Sequence, residues 1–253
     1  RHVLAKGVRT GDIALPGAIA LLASGETTLA QAGAAIDVPT LALLFGLMVV
    51  SAQLHLGGFY GRVASRLATA ALSPRALLAA LVAVTGALSA VFTNDVVCLA
   101  MAPVWIDACA RRSLDPVPFL LALACAANVG SAATLIGNPQ NILIGQALSL
   151  PFNGYLAHAL LPAALGLVAT WAIVAWQYRA AWHVAARADS PGAVAAPPAF
   201  DAWQSAKGLA AAAALLVVFV ATAWPREIAA LAAAGALLLS RRLHSRDKLG
   251  LVD

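Results

Sequence analysis

Two short polar stretches interrupt the long apolar region between residues 85 and 145. The first is a Thr-Asn-Asp stretch at 93–95, and the second is an Asn-Pro-Gln-Asn stretch at 138–141. Each lies where a helix would have to end and restart inside an apolar run. Backbone that leaves the helix at membrane depth is tolerated only where it is buried in protein or lines a water-filled cavity. Two such breaks close together therefore indicate an intramembrane binding site.

The composition identifies the chain as an integral membrane protein. Hydrophobic residues make up 62% of its 253 residues and charged residues only 11%, with a mean hydropathy of +0.85. A soluble domain carries about a quarter charged residues. The net charge of +5 comes from short clusters between apolar runs, as a membrane topology requires, so we exclude nucleic acid as a partner.

The apolar runs predict an all-α, polytopic fold. Runs at 13–24, 39–56, 155–178, 206–223 and 228–240 have the character of membrane helices. The loop at 25–38 carries no Lys or Arg. Residues 57–75 predict a helix in the membrane interface, with Phe59, Val63 and Leu67 on an apolar face, although a helix in a cytoplasmic loop has the same pattern.

The two polar stretches define the remaining elements. Residues 76–110 predict a hairpin that folds back at 93–95, and residues 117–150 predict a helix broken near position 138. With the amino terminus of this chain in the cytoplasm, fifteen of the sixteen Lys and Arg residues fall on the cytoplasmic side, and only Arg226 does not. The excess of Lys and Arg on the cytoplasmic side (the positive-inside rule) fits a re-entrant hairpin and a pair of full spans equally well, because both return the chain to the same side.

A weak internal repeat predicts the domain organisation. Residues 13–22 and 228–239 have a similar composition, rich in Ala, Gly and Leu, and we expect the two segments to cross the membrane in opposite directions. This arrangement is typical of inverted repeats in secondary transporters. We expect a first repeat at 1–178, a cytoplasmic linker at 179–205 and the start of a truncated second repeat at 206–253. On this interpretation the chain covers about half of a transporter, and a further helix precedes it.

Asp95 is the most informative single residue. A carboxylate at the centre of a helix in the bilayer costs about 2.5–3.5 kcal/mol on insertion scales, so it must face protein, water or an ion. Thr93 and Asn94 supply neutral oxygens beside it, and either could cap a helix beginning at Asp95. We therefore predict a cation or proton site at these three residues. The alternative is a helix cap in an outer loop between two full spans.

Asn138 followed by Pro139 is a typical helix start, with Asn as the N-cap and Pro at the first helical position. The start follows directly on an apolar helix, so the new amino terminus points backbone N–H groups inward, where an anion can bind. The predicted substrate-binding residues are the polar and small side chains around this point: Asn128, Ser131, Thr134, Gly137, Asn138, Pro139, Gln140 and Asn141. The alternative is a simple Pro kink.

Motifs of enzymes and of metal centres are missing from the sequence. It contains no nucleophile with a base, no HExxH and no phosphate loop, so we predict that the protein is not an enzyme. Cys98, Cys109 and Cys125 have no metal-ligand spacing and are predicted to fill apolar space.

The stretches at 92–95 and 128–141 resemble the ion transporter superfamily, in particular its arsenite-permease, citrate-transporter and divalent-anion symporter families. The resemblance implies two inverted repeats, each with a re-entrant hairpin and a broken helix, and usually a homodimer. It implies that Thr93 and Asn94 match a hairpin-tip motif that helps to hold sodium, and that Asn138 and its neighbours match the substrate motif. The acidic residue at position 95 differs from the pattern of the sodium-coupled carriers at this position and resembles that of the arsenite permeases.

These observations predict a secondary active transporter of a small inorganic or organic anion or oxyanion in a bacterial-type inner membrane. Coupling to a proton gradient and to a sodium gradient both remain open. No cofactor is expected beyond a sodium ion at Thr93, Asn94 and Asn138. The alternatives are a cation/proton antiporter and a membrane scaffold subunit that transports nothing.

Overall fold

A computed structural model of the chain describes residues 10–182, 199–239 and 248. All regular secondary structure in this part of the chain is helical, which confirms the predicted all-α membrane fold. Residues 183–198 of the predicted linker, and most of the basic tail after residue 239, lie outside the described residues. The chain forms two compact units, residues 1–38 and 39–253.

The first unit contains helix α1 (Thr10–Ala23) and the short helix α2 (Leu29–Ala34). The prediction of a plain loop at 25–38 is therefore wrong. The Thr28 side chain accepts a hydrogen bond from Gln31 N at 3.2 Å, and Gln31 Oε1 accepts one from Thr28 N at 2.9 Å. This reciprocal capping box stabilises a helix start in a segment whose apolar pattern alone did not predict one.

The second unit contains nine helices within the described residues. They are α3 (Val38–Leu56), α4 (Phe59–Ala68), α5 (Pro74–Val91), α6 (Asn94–Arg111), α7 (Pro116–Ser131), α8 (Pro139–Ala147), α9 (Phe152–Gln177), α10 (Ala202–Ala221) and α11 (Arg226–Leu238). By length and apolar composition, α3, α5, α9 and α10 could each cross a membrane.

Both predicted helix breaks are present. Helix α5 ends at Val91 and α6 begins at Asn94, so the hairpin folds back at the predicted polar stretch. Helix α7 ends at Ser131 and α8 begins at Pro139, which leaves 132–138 without α-helix. Helix α5 packs mainly against α7. Their backbones meet at Gly86 and Gly130, where a side chain on Gly130 would overlap the Gly86 main chain.

Helix α4 attaches to the hairpin through a face that differs from the predicted one. Its most buried residues are Tyr60, Ala64 and Ala68, one position along from the apolar stripe expected at residues 59, 63 and 67. The Tyr60 ring lies edge-on to Phe92 at the hairpin tip, with ring centroids 6.0 Å apart. Small residues on the buried face allow close packing, and this packing places α4 beside the turn of the hairpin.

A buried polar cluster joins α3 to the start of α10. Gln53 Nε2 donates to Gln204 O at 3.1 Å and to Gln204 Oε1 at 3.0 Å, and Ser205 Oγ donates to Gly57 O at 2.9 Å. Asp201 caps α10 by accepting from the N–H of Gln204 at 3.1 Å. Helix α10 therefore begins at Ala202, within the segment predicted as the end of the linker, because the cap and this cluster fix its first turn.

Candidate functional site

The tip of the α5–α6 hairpin is attached directly to the break between α7 and α8. Asn94 donates from its backbone N–H to Gly137 O at 3.3 Å and from its side-chain amide to Asn128 Oδ1 at 3.1 Å. From the other side of the break, Thr134 Oγ1 donates to Ala90 O at 2.5 Å. The two interruptions that the sequence separates by more than forty residues thus form one structure.

The start of α8 has the predicted capping geometry. Asn138 is the N-cap with an extended backbone, and its Oδ1 accepts from Asn141 N at 2.8 Å. Pro139 occupies the first turn, as predicted. Asn138 Nδ2 donates to Ser131 Oγ at 3.0 Å, so the cap also ties α8 to the end of α7.

Side chains hold the exposed carbonyl groups of the break. Asn141 Nδ2 donates to Thr134 O at 2.9 Å and to Ser131 O at 3.4 Å. The Tyr155 hydroxyl, in the first turn of α9, donates to Ala132 O at 3.1 Å. Sequence reasoning missed Tyr155, because nothing local in its surroundings indicates a contact with a residue 23 positions away.

These contacts surround a polar cavity of about 410 Å³. All eight residues of its lining were predicted for the two sites: Asn94, Asp95, Asn128, Ser131, Asn138, Pro139, Gln140 and Asn141. Thr93, Thr134 and Gly137, although predicted with them, are not part of the lining. Gly137 is packed so closely on the Ser131 carbonyl that a Cβ atom would overlap it, and Thr134 uses its hydroxyl to hold the hairpin.

The start of α6 differs in detail from the prediction. The helix begins at Asn94, and Thr93 is its N-cap, but the Thr93 side chain makes no capping hydrogen bond. Thr93 Oγ1 and Asn94 Oδ1 are both buried and have no hydrogen-bond partner among the described residues. These two oxygens are therefore free to accept a bond, and the Thr93 backbone rather than its side chain starts the helix.

Asp95 is exposed and lines the cavity. In the part of the chain that the structure describes, its carboxylate takes part in no hydrogen bond or ion pair. It lies in the first turn of α6, at the positive end of the helix dipole. One carboxylate and two neutral oxygens are hard ligands of the kind that bind alkali and alkaline-earth ions or protons.

A helical membrane protein in which a hairpin tip and a broken helix enclose a polar cavity has the architecture of a secondary transporter. The family model for citrate transporters, CitMHS, matches residues 3–253. The chain therefore belongs to the citrate transporter family, and its resemblance to the ion transporter superfamily is confirmed.

Several curated proteins are similar to parts of the chain. A silicon efflux transporter of Oryza sativa subsp. japonica is 40% identical over 152 residues, which is 60% of this chain and 31% of that protein. The putative transporter arsB of Dictyostelium discoideum is 31% identical over 54% of the chain and 24% of its own length. The magnetosome protein MamN of Paramagnetospirillum magneticum is 36% identical over 61% of the chain and 36% of its own length. The matched part is thus about a third or less of each relative.

Proposed function

We propose that the protein is a secondary active transporter of a small anion or oxyanion, coupled to a proton or sodium gradient, and that it acts as a homodimer in the plasma (inner) membrane. The observation that carries this proposal is the cavity where the hairpin tip meets the helix break. It combines a charged group and a helix amino terminus in one polar space, and the unpaired oxygens of Thr93 and Asn94 are buried beside Asp95 in the chain. The name of the family, citrate transporter, and the silicon efflux transporter among the relatives support a small oxygen-rich substrate.

The α8 side of the cavity is suited to the substrate. The positive end of the α8 dipole points at the cavity through Asn138, Pro139 and Gln140. The Gln140 side chain is exposed and makes no hydrogen bond with the described residues, so its amide is available as a donor. Helix amino termini bind anions through their first N–H groups. At α8 the Pro139 nitrogen carries no hydrogen and Asn141 N donates to Asn138 Oδ1, so the backbone N–H of Gln140 is the donor left for an anion.

The α6 side of the cavity is suited to the coupling ion. An anion beside an ionised Asp95 would be repelled by about 3 kcal/mol at ~6 Å and an effective dielectric constant of ~20. That is roughly a hundredfold in affinity. A proton or a sodium ion on Asp95 removes this repulsion, with Thr93 Oγ1 and Asn94 Oδ1 as further ligands for sodium. Binding of the cation would thereby favour binding of the anion, which is the thermodynamic basis of coupling.

Flux into proteoliposomes containing the full-length protein tests this proposal. Citrate, arsenite, silicic acid, sulfate and phosphate are each supplied with a sodium gradient, a pH gradient or neither. We expect one of them to accumulate only with a gradient, and Asp95→Asn to abolish that accumulation. Asp107→Asn is the matched control, because Asp107 is exposed and, among the residues that the structure describes, pairs with Arg111 at 2.8 Å. Failure of all five substrates to accumulate would contradict the proposal.

A cation/proton antiporter is the second candidate, because each of the free groups on the α6 side can offer an oxygen to a cation. Asp95, Thr93 and Asn94 alone could exchange a metal cation for a proton. A pH-sensitive dye inside the same vesicles separates the two functions. Sodium or potassium that dissipates a pH gradient without any added anion would favour the antiporter, whereas a scaffold subunit would give no signal in either assay.

A further inference from the structure

The carbonyl groups of the helix break are held by three different elements. Asn141 in α8 holds the carbonyls of Ser131 and Thr134, and the backbone N–H of Asn94 in α6 holds that of Gly137. The Ala132 carbonyl is held by the Tyr155 hydroxyl, which comes from α9, outside both the hairpin and the broken helix.

We propose that Tyr155 is a positioning residue for the binding site, acting through the carbonyl of Ala132. This inference rests on the proposed function, since it assigns Tyr155 a role in how that cavity binds its substrate. Ala132 is the C-cap of α7, where the last carbonyls of a helix have no intrahelical partner. The tyrosine hydroxyl satisfies one of these carbonyls and thereby fixes the direction in which the chain leaves α7.

The position of this carbonyl determines the position of the site. Six residues after Ala132 the chain reaches Asn138, whose side chain caps α8 and contacts Ser131. If the break moves, the amino terminus of α8 and the donor groups of Gln140 move with it. Tyr155 itself is only half-buried and is not part of the cavity lining, so its contribution to substrate binding is indirect.

Tyr155→Phe removes only the hydroxyl and leaves the ring in place. A lost hydrogen bond of this kind shifts a local equilibrium by about 2- to 12-fold. We expect the KM for whichever of the five substrates is transported to rise by that factor while the maximal rate stays within twofold. Tyr178→Phe is the matched control: it is the same change at the other end of α9, where no hydroxyl contact to the break exists in the described structure.

A second measurement needs no substrate. Ala133 lies in the break and is only 5% exposed, so a cysteine at this position should react slowly with a thiol reagent. In a full-length protein without Cys98, Cys109 and Cys125, we expect Tyr155→Phe to accelerate labelling of Ala133→Cys by about 2- to 12-fold. Tyr178→Phe should leave the labelling rate unchanged, and the melting temperature of both variants should stay near that of the parent.

The two measurements separate failure of this inference from failure of the proposed function. Unchanged labelling in Tyr155→Phe overturns the positioning role, whatever the flux data show. Faster labelling together with no flux of any of the five substrates of the flux assay supports the role of Tyr155 and overturns the transport proposal. A lower maximal rate with an unchanged KM also overturns the inference, because a structural defect reduces the number of active molecules and not their affinity.

Discussion

The side-chain amide of Asn94 donates a hydrogen bond to Oδ1 of Asn128 over 3.1 Å, and this contact joins the hairpin tip to the first half of the broken helix. Asn128 uses its own amide to donate to Ala124 O at 2.9 Å, so its orientation is fixed from within α7. Asn94 Oδ1 is left buried and unpaired among the described residues. The contact therefore attaches the hairpin to α7, and it also fixes the orientation of the Asn94 amide and hence of its acceptor oxygen Oδ1.

Removal of this contact should weaken both the attachment and the site. We expect Asn128→Ala to reduce the free energy of unfolding by about 1 kcal/mol, because it leaves the buried Asn94 amide without an acceptor. Asn94→Ala and the double variant complete a double-mutant cycle, and a coupling energy of at least 0.5 kcal/mol is expected. Asn153→Ala, which breaks an exposed side-chain bond to Val220 O at 3.0 Å, is the control. Strict additivity of the two single changes would show that the contact is absent.

The glycine contact between α5 and α7 can be tested by adding one methyl group. Gly130→Ala should lower the stability by about 1–3 kcal/mol, because the new Cβ would overlap the Gly86 backbone and force the helices apart. Gly235→Ala in α11 is the matched control, since no atom lies within 4 Å of the added Cβ. There the better helix propensity of Ala should leave the stability unchanged or raise it. Equal melting temperatures for the two variants would contradict the packing described for α5 and α7.

In the polar cluster between α3 and α10, removing one partner of the buried hydrogen bond should cost more stability than removing both. Gln53→Leu removes the amide donor and leaves the side-chain acceptor Gln204 Oε1 unpaired in a site where both residues are almost fully buried. We expect a loss of about 1–3 kcal/mol, with part of it recovered in Gln53→Leu combined with Gln204→Leu. Thermal unfolding in detergent measures both effects. A double variant that is less stable than Gln53→Leu alone would refute this account of the cluster.

The sequence predicted the positions of the breaks because local chemistry determines them. An Asn followed by Pro can start a helix wherever it occurs, and Asp95 in an apolar run is too costly to face lipid. These local signals also predicted that the same residues would line a polar space. The capping box of α2 was equally local, in Thr28 and Gln31, and could have been found from its spacing.

The remaining features depend on contacts between distant residues. The partner of Tyr155 lies on another helix, and Gly86 and Gly130 have no pattern that matches one to the other. Gln53 gave a partial signal, since an amide within an apolar span needs a buried partner, but Gln204 could not be selected from the sequence. The buried face of α4 was misplaced by one position because alanine packs against the hairpin where larger apolar residues were expected.

We propose above all that the hairpin tip and the broken helix enclose a water-filled cavity within the membrane and that Asp95 faces it. Labelling of a cysteine at position 95 tests this most directly, in full-length protein that lacks Cys98, Cys109 and Cys125 and is reconstituted in vesicles. We predict that a small hydrophilic thiol reagent reacts with Asp95→Cys, but at least tenfold more slowly than with Asp107→Cys at the exposed end of α6. We also predict that Asn128→Trp, which fills the cavity, slows the reaction at position 95 further. A cysteine at position 95 that reacts as fast as the one at position 107, with or without the tryptophan, would contradict the account.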